Sequence, residues 1–142
     1  MISREIYKFI HTIHKFQVII FKKNKDYYVI DDDVYVLRSL LDFSYCYKNN
    51  RKVIFIDSDY VNYVLKYLRE YSVSYVVINI NYVYDRVLDY KSNNNRYVFF
   101  YKKGKRIIKN ERKVKYIVDM LNRYKDIELL KGVDLIINDC RY

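Results

Sequence analysis

Proline, tryptophan and alanine are absent from this chain of 142 residues, and glycine and cysteine occur twice each. So little glycine and proline excludes a collagen-like repeat and a flexible linker protein. Cys46 and Cys140 stand far apart and outside any CxxC, which excludes a disulfide scaffold. They read as buried thiols without an activating base, in a reduced setting such as the cytoplasm, a viral factory, a virion or an organelle matrix. No run approaches the roughly 18 apolar residues of a membrane span. The first sixteen residues, MISREIYKFIHTIHKF, carry charge throughout and lack a continuous apolar stretch, so no signal peptide is expected. GxxxxGK[ST], GxSxG, HExxH and GxGxxG are all missing, and with them the common signatures of nucleotide, hydrolase, zinc and dinucleotide chemistry.

What is present is apolar and aromatic. Hydrophobic residues make up 51% and charged residues 31%, a globular balance, and the length fits one domain. Of 26 aromatic residues, 19 are tyrosine. Lysine, asparagine, isoleucine, tyrosine and phenylalanine are residues of AT-rich codons, so the bias reads as mutational, of a viral, organellar or parasite-like genome. It identifies no activity. The net charge of +10 is concentrated. Residues 102–115 hold Lys102, Lys103, Lys105, Arg106, Lys109, Arg112, Lys113 and Lys115 against Glu111, seven of the ten net charges. Such a segment is an electrostatic footprint for a polyanion, or else a solvated helix face.

Hydrophobic spacing predicts the elements. Ile6, Phe9, Ile10 and Ile13 mark a helix over 3–16, and strands follow at 18–22 and 26–30 around a polar turn. Asp31, Asp32 and Asp33 are placed to cap a short helix bearing Val34, Leu37, Leu40 and Leu41. Strands are expected at 43–47 and 52–56, then a helix capped by Ser58 or Asp59 with Val61, Val64, Leu65 and Leu68 inward. The apolar run 73–80 reads as a central strand. Beyond it come a short helix at 82–90, a break at 92–95, a strand at 96–101, a turn at Gly104, a helix at 107–125 and a last strand near 133–138. The fold class expected is mixed α/β (α+β): one domain over 1–142, a mixed sheet flanked by helices, with 82–142 a β-α-β extension on a core of 1–81.

Over 18–79 the element order and the local text, from VIIF through DYYVIDDDV to DSDYVNYVLKYLREYSVSYVVIN, resemble the N-terminal mismatch-recognition domain of the MutS DNA repair family. Asp26, Tyr27 and Tyr28 match its D-F-Y positions and Asp33-Val34 its D-A pair, while Tyr63, Tyr67, Leu68 and Tyr71-Ser72-Val73 echo its later helix. The resemblance covers about half the chain and implies that domain's fold and a DNA partner. In the family the phenylalanine stacks on an unpaired base and a glutamate hydrogen-bonds it. Tyr27 and Val29 stand there instead, so stacking is retained and base reading is lost. Lys25 stands in place of the turn glycine. The clamp and ATPase domains of the family have no counterpart in this sequence.

Nucleic-acid contacts are therefore expected from Lys22, Lys23 and Lys25 at the hairpin tip, from the rings of Tyr27 and Tyr28, and from Lys102, Lys103, Lys105, Arg106, Lys109, Arg112 and Lys113. The bland alternatives are strand packing for the tyrosines and edge protection for the lysines. A rival constellation is acidic. Asp57 and Asp59 follow an apolar strand, as carboxylates do in metal-dependent nucleases, with Asp134 and Asp139 flanking the last strand. The same Asp57 and Asp59 suit a helix N-terminus. His11 and His14, at i and i+3, have no evident partner ligand. The function expected is a small non-enzymatic nucleic-acid-binding or accessory protein, with DNA preferred to RNA as partner. A structural or interaction subunit of a virion or ribonucleoprotein is the first alternative, and a nuclease the second. No cofactor, metal or membrane partner is expected.

Overall fold

The apolar runs of the first eighty residues fold in the order their turns dictate. The computed structural model describes residues 1–81 and 85–125, and the chain divides into two compact units, Met1–Lys105 and Arg106–Tyr142. The first unit opens with helix α1 (Arg4–Ile13), strands β1 (Val18–Lys23) and β2 (Asp26–Ile30), and helix α2 (Asp32–Leu41). Strands β3 (Cys46–Lys48) and β4 (Arg51–Ile56), helix α3 (Val61–Glu70), and strands β5 (Tyr75–Asn79) and β6 (Asp85–Tyr90) follow. Helix α4 (Tyr97–Lys125) begins in this unit. Over 1–81 this is the expected α-β-β-α-β-β-α-β order, and the described residues form a mixed α+β fold of four helices and six strands.

The strands make one mixed sheet in the order β3-β4-β2-β1-β5-β6. β1 and β5 run parallel, Val18 opposite Tyr75 and Phe21 opposite Ile78, and every other neighbouring pair is antiparallel. Two tight turns set the registers. Between Lys23 and Asp26 the positive φ falls on Asn24 and not on Lys25, so the turn closes without a glycine. Between Lys48 and Arg51 both Asn49 and Asn50 have positive φ, as a type I′ hairpin turn requires.

Alternation sorts the strand side chains to two faces. Val18, Ile20, Val29, Ile54, Ile56, Tyr75 and Val77 point to one, where Val34 and Leu37 of α2, Val64, Leu65 and Leu68 of α3, and Tyr97 and Phe100 of α4 cover them. Ile19, Phe21, Tyr28, Ile30, Val53, Val76 and Ile78 point to the other, under Ile2 and the Tyr7 and Ile10 of α1. β5, with a strand on either side, is buried on both faces, as its continuous apolar run implies.

Several elements depart from the sequence reading. In α1 the buried stripe is Tyr7, Ile10 and His14, with His11 half-buried, while Phe9 (66% exposed) and Ile13 (61%) face outward. The helix is rotated because two of its polar side chains are drawn to a buried carboxylate on α2, described below. The strand expected at 43–47 shortens to Cys46–Lys48. Neither α2 nor α3 has a side-chain cap, since Asp31 and Tyr60 occupy the N-cap positions without capping bonds. Asp31 and Asp33 spend their carboxylates elsewhere. The described part of 82–90 is strand β6, paired with β5 through a bulge at Val77/Ile78, and not a helix.

The strand expected at 96–101 is the first turn of α4. Asn95 accepts the Tyr97 N–H at 3.2 Å, and Tyr97, Phe100, Tyr101 and Gly104 then share one helical face. Gly104 is no turn residue: α4 crosses α2 there, with the Tyr35 backbone where a side chain would be. The β-α-β extension thus becomes, over its described part, one strand and one long helix. The last strand, Asp134, Asp139 and Cys140 lie outside the described residues. Within the second unit the described stretch, 106–125, is helical, with Val114, Tyr116, Ile117 and Val118 exposed. No helix of the described residues is long and apolar enough to cross a membrane.

Candidate nucleic-acid interface

Asp33, in the first turn of α2, is fully buried and organises this region of the first unit. Its Oδ2 accepts from the Tyr7 hydroxyl (2.8 Å), His11 Nε2 (3.0 Å) and the Ile19 N–H (3.1 Å), and its Oδ1 from the Tyr97 hydroxyl (2.7 Å). Four donors satisfy a carboxylate that could not otherwise be buried. Ile19 is free to donate because the β1–β2 pairing begins only at Phe21. One side chain thereby ties α1, β1 and α4 to α2. Burial and the Asp33 charge hold the Tyr7 and Tyr97 phenols above their ordinary value, so both remain donors. For His11, burial alone would lower the imidazolium. The Asp33 charge and hydrogen bond, with Asp32 and Asp31 behind them, outweigh it and raise the group above 6.5.

Beside this hub, α1, α2 and the start of β4 enclose a cavity of about 350 Å³. Arg4, Lys8, Arg51 and Lys52 line it together with Asp31 and Asp32. Arg51 grips Asp31 with two hydrogen bonds, at 3.1 and 2.6 Å, and also donates to the Ile2 carbonyl. Such a forked pair is a fixed part of the wall.

At the cavity's rim rings and cations alternate. Lys52 Nζ lies 5.5 Å from the centre of the Tyr47 ring and 5.1 Å from that of Tyr35. Lys105 Nζ lies 5.9 Å from Tyr35 and 5.2 Å from Tyr101, and the Tyr35 and Tyr101 rings meet edge to face at 5.7 Å. The row runs Tyr47, Lys52, Tyr35, Lys105, Tyr101. Each ammonium sits within cation–π range of two rings. A hydrogen bond to Tyr101 raises the Lys105 ammonium, which stays charged. Tyr47 is 55% exposed, leaving ring surface on which a base can stack.

The residues anticipated from sequence are distributed unevenly. Of these, Lys105 joins the row, and Lys102 and Lys103 are exposed beside it on the first part of α4. Arg106, Lys109, Arg112 and Lys113 are exposed on the helix of the second unit, with Arg106, Lys109 and Lys113 at i, i+3 and i+7 on one face. Lys23 and Lys25 are exposed at the hairpin tip, and Lys22 Nζ lies 5.8 Å from the Tyr27 ring. Tyr27 is half-buried against the α2–α3–α4 face of the core. Tyr28 is a correction. It is 7% exposed and its ring is stacked on Phe21 at 5.3 Å, because neighbours in a strand point to opposite faces and Tyr28 falls in the cluster with Ile2, Tyr7 and Ile10. It offers no base a surface.

Sequence reasoning missed Arg4, Lys8, Tyr35, Tyr47, Lys52 and Tyr101. One pair was derivable, since an Asn49-Asn50 turn with Lys48 opposite Arg51 puts Tyr47 opposite Lys52. Of the rival constellation, Asp57 and Asp59 are exposed in the loop before α3. Among the described residues no three His, Cys, Asp or Glu side chains gather as a metal site. His14 is turned to Gln17 at 3.1 Å, away from the His11 network. Cys46 is a free, exposed thiol and not a buried one, on a short strand that pairs on one side only.

The chain matches no protein-family model, and no curated protein matches it at a significant level.

Proposed function

We propose that this protein is a small nucleic-acid-binding accessory protein, which holds a strand through its phosphates and by stacking and does not read mismatches. The observation that carries this is the row Tyr47, Lys52, Tyr35, Lys105, Tyr101, which alternates phosphate-neutralising ammonium groups with aromatic rings. Sequence-tolerant binders of single strands combine these two elements, and each stacked base contributes about 1–3 kcal/mol. The cations of the α4 stretch add charge that favours any polyanion. DNA rather than RNA is favoured by the likeness of 18–79 to the MutS mismatch-recognition domain. Val29, at the position of that family's base-reading glutamate, is sealed in the core, which supports binding without mismatch discrimination.

The test is a binding titration with single-stranded, duplex and mismatched duplex DNA and single-stranded RNA, at two salt concentrations. Binding should weaken steeply with salt, with a slope of about −0.7 per phosphate neutralised on single strands, and a mismatch should make no difference. Absence of binding to all four at low salt would overturn the proposal.

A second reading, as an interaction subunit, is favoured by the outward face of α1. Phe9 and Ile13 are exposed there, beside an apolar groove of about 310 Å³ that Ile6 and Ile78 also line. Exposed apolar surface of this kind marks protein contacts. Recovery of the native protein in a stoichiometric complex would favour this reading, and a stable free monomer would count against it.

A further inference from the structure

The cavity between α1, α2 and β4 is concave and has a definite charge. Arg51 and Asp31 neutralise one another within its wall. What remains facing the space is Arg4, Lys8 and Lys52 against Asp32, a surplus of two positive charges. Asp32, the lining acid that Arg51 does not neutralise, is already counted in this surplus. Partial desolvation and the adjacent Asp33 charge both raise its carboxyl above the ordinary value. A volume of about 350 Å³ lies at the lower end of small-ligand sites, enough for one nucleotide and far too small for a duplex.

A phosphodiester in the middle of a strand carries one negative charge. A terminal phosphomonoester carries between about 1.5 and 2 at neutral pH and presents three acceptor oxygens. The charge and the donors of the cavity match the second. Arg4 is held at its place by donating to the Asn50 carbonyl at 3.3 Å, and Lys8 stands one helical turn further along the same face of α1. Asn50, Tyr7 and Tyr35 complete the lining. Tyr35 is at once a wall of the cavity and the middle ring of the row, so a phosphate seated inside would leave its own base beside aromatic surface.

We infer that this cavity seats the phosphomonoester of a nucleotide, either the phosphorylated end of a nucleic-acid strand or a free mononucleotide. The inference rests on the nucleic-acid reading where the source is a strand, and stands without it where the source is a free nucleotide. Arg4 and Lys8 make the charged contacts, Lys52 serves both cavity and row, and Arg51 holds the wall.

The experiment compares oligonucleotides of one sequence ending in a 5′-phosphate, a 3′-phosphate or hydroxyl groups only, together with AMP, against the full chain. Wild-type protein should prefer a phosphate-ended strand about tenfold, equivalent to about 1.4 kcal/mol, and AMP should compete with it. The double variant Arg4→Ala, Lys8→Ala should bring the ratio between phosphate-ended and hydroxyl-ended strands to about one. Phosphorus NMR of AMP titrated with the wild-type chain gives a readout independent of any variant, a shifted and broadened resonance being expected. Equal binding of phosphate and hydroxyl ends, with no effect on AMP, would overturn the seat while leaving the nucleic-acid proposal intact. Binding of AMP alone would support the seat and overturn the strand reading. Binding of none of these ligands would overturn both.

Discussion

A side chain on Gly104 would run into the backbone of Tyr35. An added Cβ would lie 2.9 Å from the Tyr35 Cα and closer still to its carbonyl group. Helices α2 and α4 therefore touch through their main chains, and Lys105, one residue on, reaches the Tyr35 ring because of it.

Gly104→Ala tests that contact by its sign. In an isolated helix the change would add about 1 kcal/mol of stability through propensity. Here the obstacle is backbone, which cannot rotate aside, and overpacking of this kind costs about 1–3 kcal/mol. A net loss of up to about 2 kcal/mol is expected in urea unfolding, with weakened nucleic-acid binding as Lys105 shifts away from Tyr35. A gain in stability would show that α4 does not cross α2 this closely.

Asp33 should be the most sensitive position in the first unit. Asp33→Ala leaves the Ile19 N–H and the Tyr7, His11 and Tyr97 donors without their acceptor and should cost about 3–5 kcal/mol. Asp33→Asn should cost less. Its remaining oxygen can still accept the Ile19 N–H, and a hydroxyl can turn to accept from the new amide. Chemical denaturation of the two variants should rank them in that order. Equal losses would mean that the four donors require the carboxylate itself, and that the volume and single oxygen kept by asparagine count for little.

The hub also predicts a pH dependence. His11 is raised in the folded state above 6.5, its ordinary value, which stands for the unfolded chain. The folded state binds the proton more tightly, so this contribution is complete below pH 6.5 and disappears as pH rises through the folded-state value. The groups that face the imidazole are Asp33, Asp32 and Asp31 of the α2 start, with Tyr7 and Tyr97 neutral beside it. The urea midpoint of the wild-type chain should fall as pH is taken upward from 6.5, and His11→Gln should flatten that fall. An unchanged slope in the variant would assign the effect to another group.

How far these features were legible in the sequence depends on where their causes lie. The elements over 4–79 follow from local alternation and turns, as with VIIF, DYYVI and the Asn49-Asn50 pair. The buried face of α1 is not legible locally, because an amphipathic stripe shows which residues are apolar and cannot show that Asp33, some twenty residues on, draws Tyr7 and His11 inward. The run RYVFFY reads as a strand because its residues are aromatic and β-branched, types favoured there. What makes it helical is tertiary, the Tyr97–Asp33 bond and the passage of Gly104 over Tyr35. In the candidate site, Lys105 was visible as part of a charge cluster. The Tyr47–Lys52 pair follows from its hairpin turn, but Tyr35 and Tyr101 do not, since residues so far apart in sequence meet only once the sheet and both helices are assembled.

That assembly gives the row its own signature in solution. Lys52→Gln and Lys105→Gln each remove one ammonium from between two rings, and each should lower the salt slope of single-strand binding by about 0.7. Stability should change by less than about 1 kcal/mol at the exposed Lys105 and by up to about 2 kcal/mol at the half-buried Lys52. Lys66→Gln, on the exposed surface of α3 and outside the row, removes the same charge and should leave the slope as it was. Net charge alone would make the three variants alike, because counterion release at a diffuse positive surface does not depend on which lysine is lost. A position-dependent response, with Tyr47→Ala adding a loss of about 1–3 kcal/mol on single strands, is what contact with phosphates and a stacked base requires. Identical slopes in all three lysine variants would reduce the row to general electrostatics and take from the proposed function the observation on which it stands.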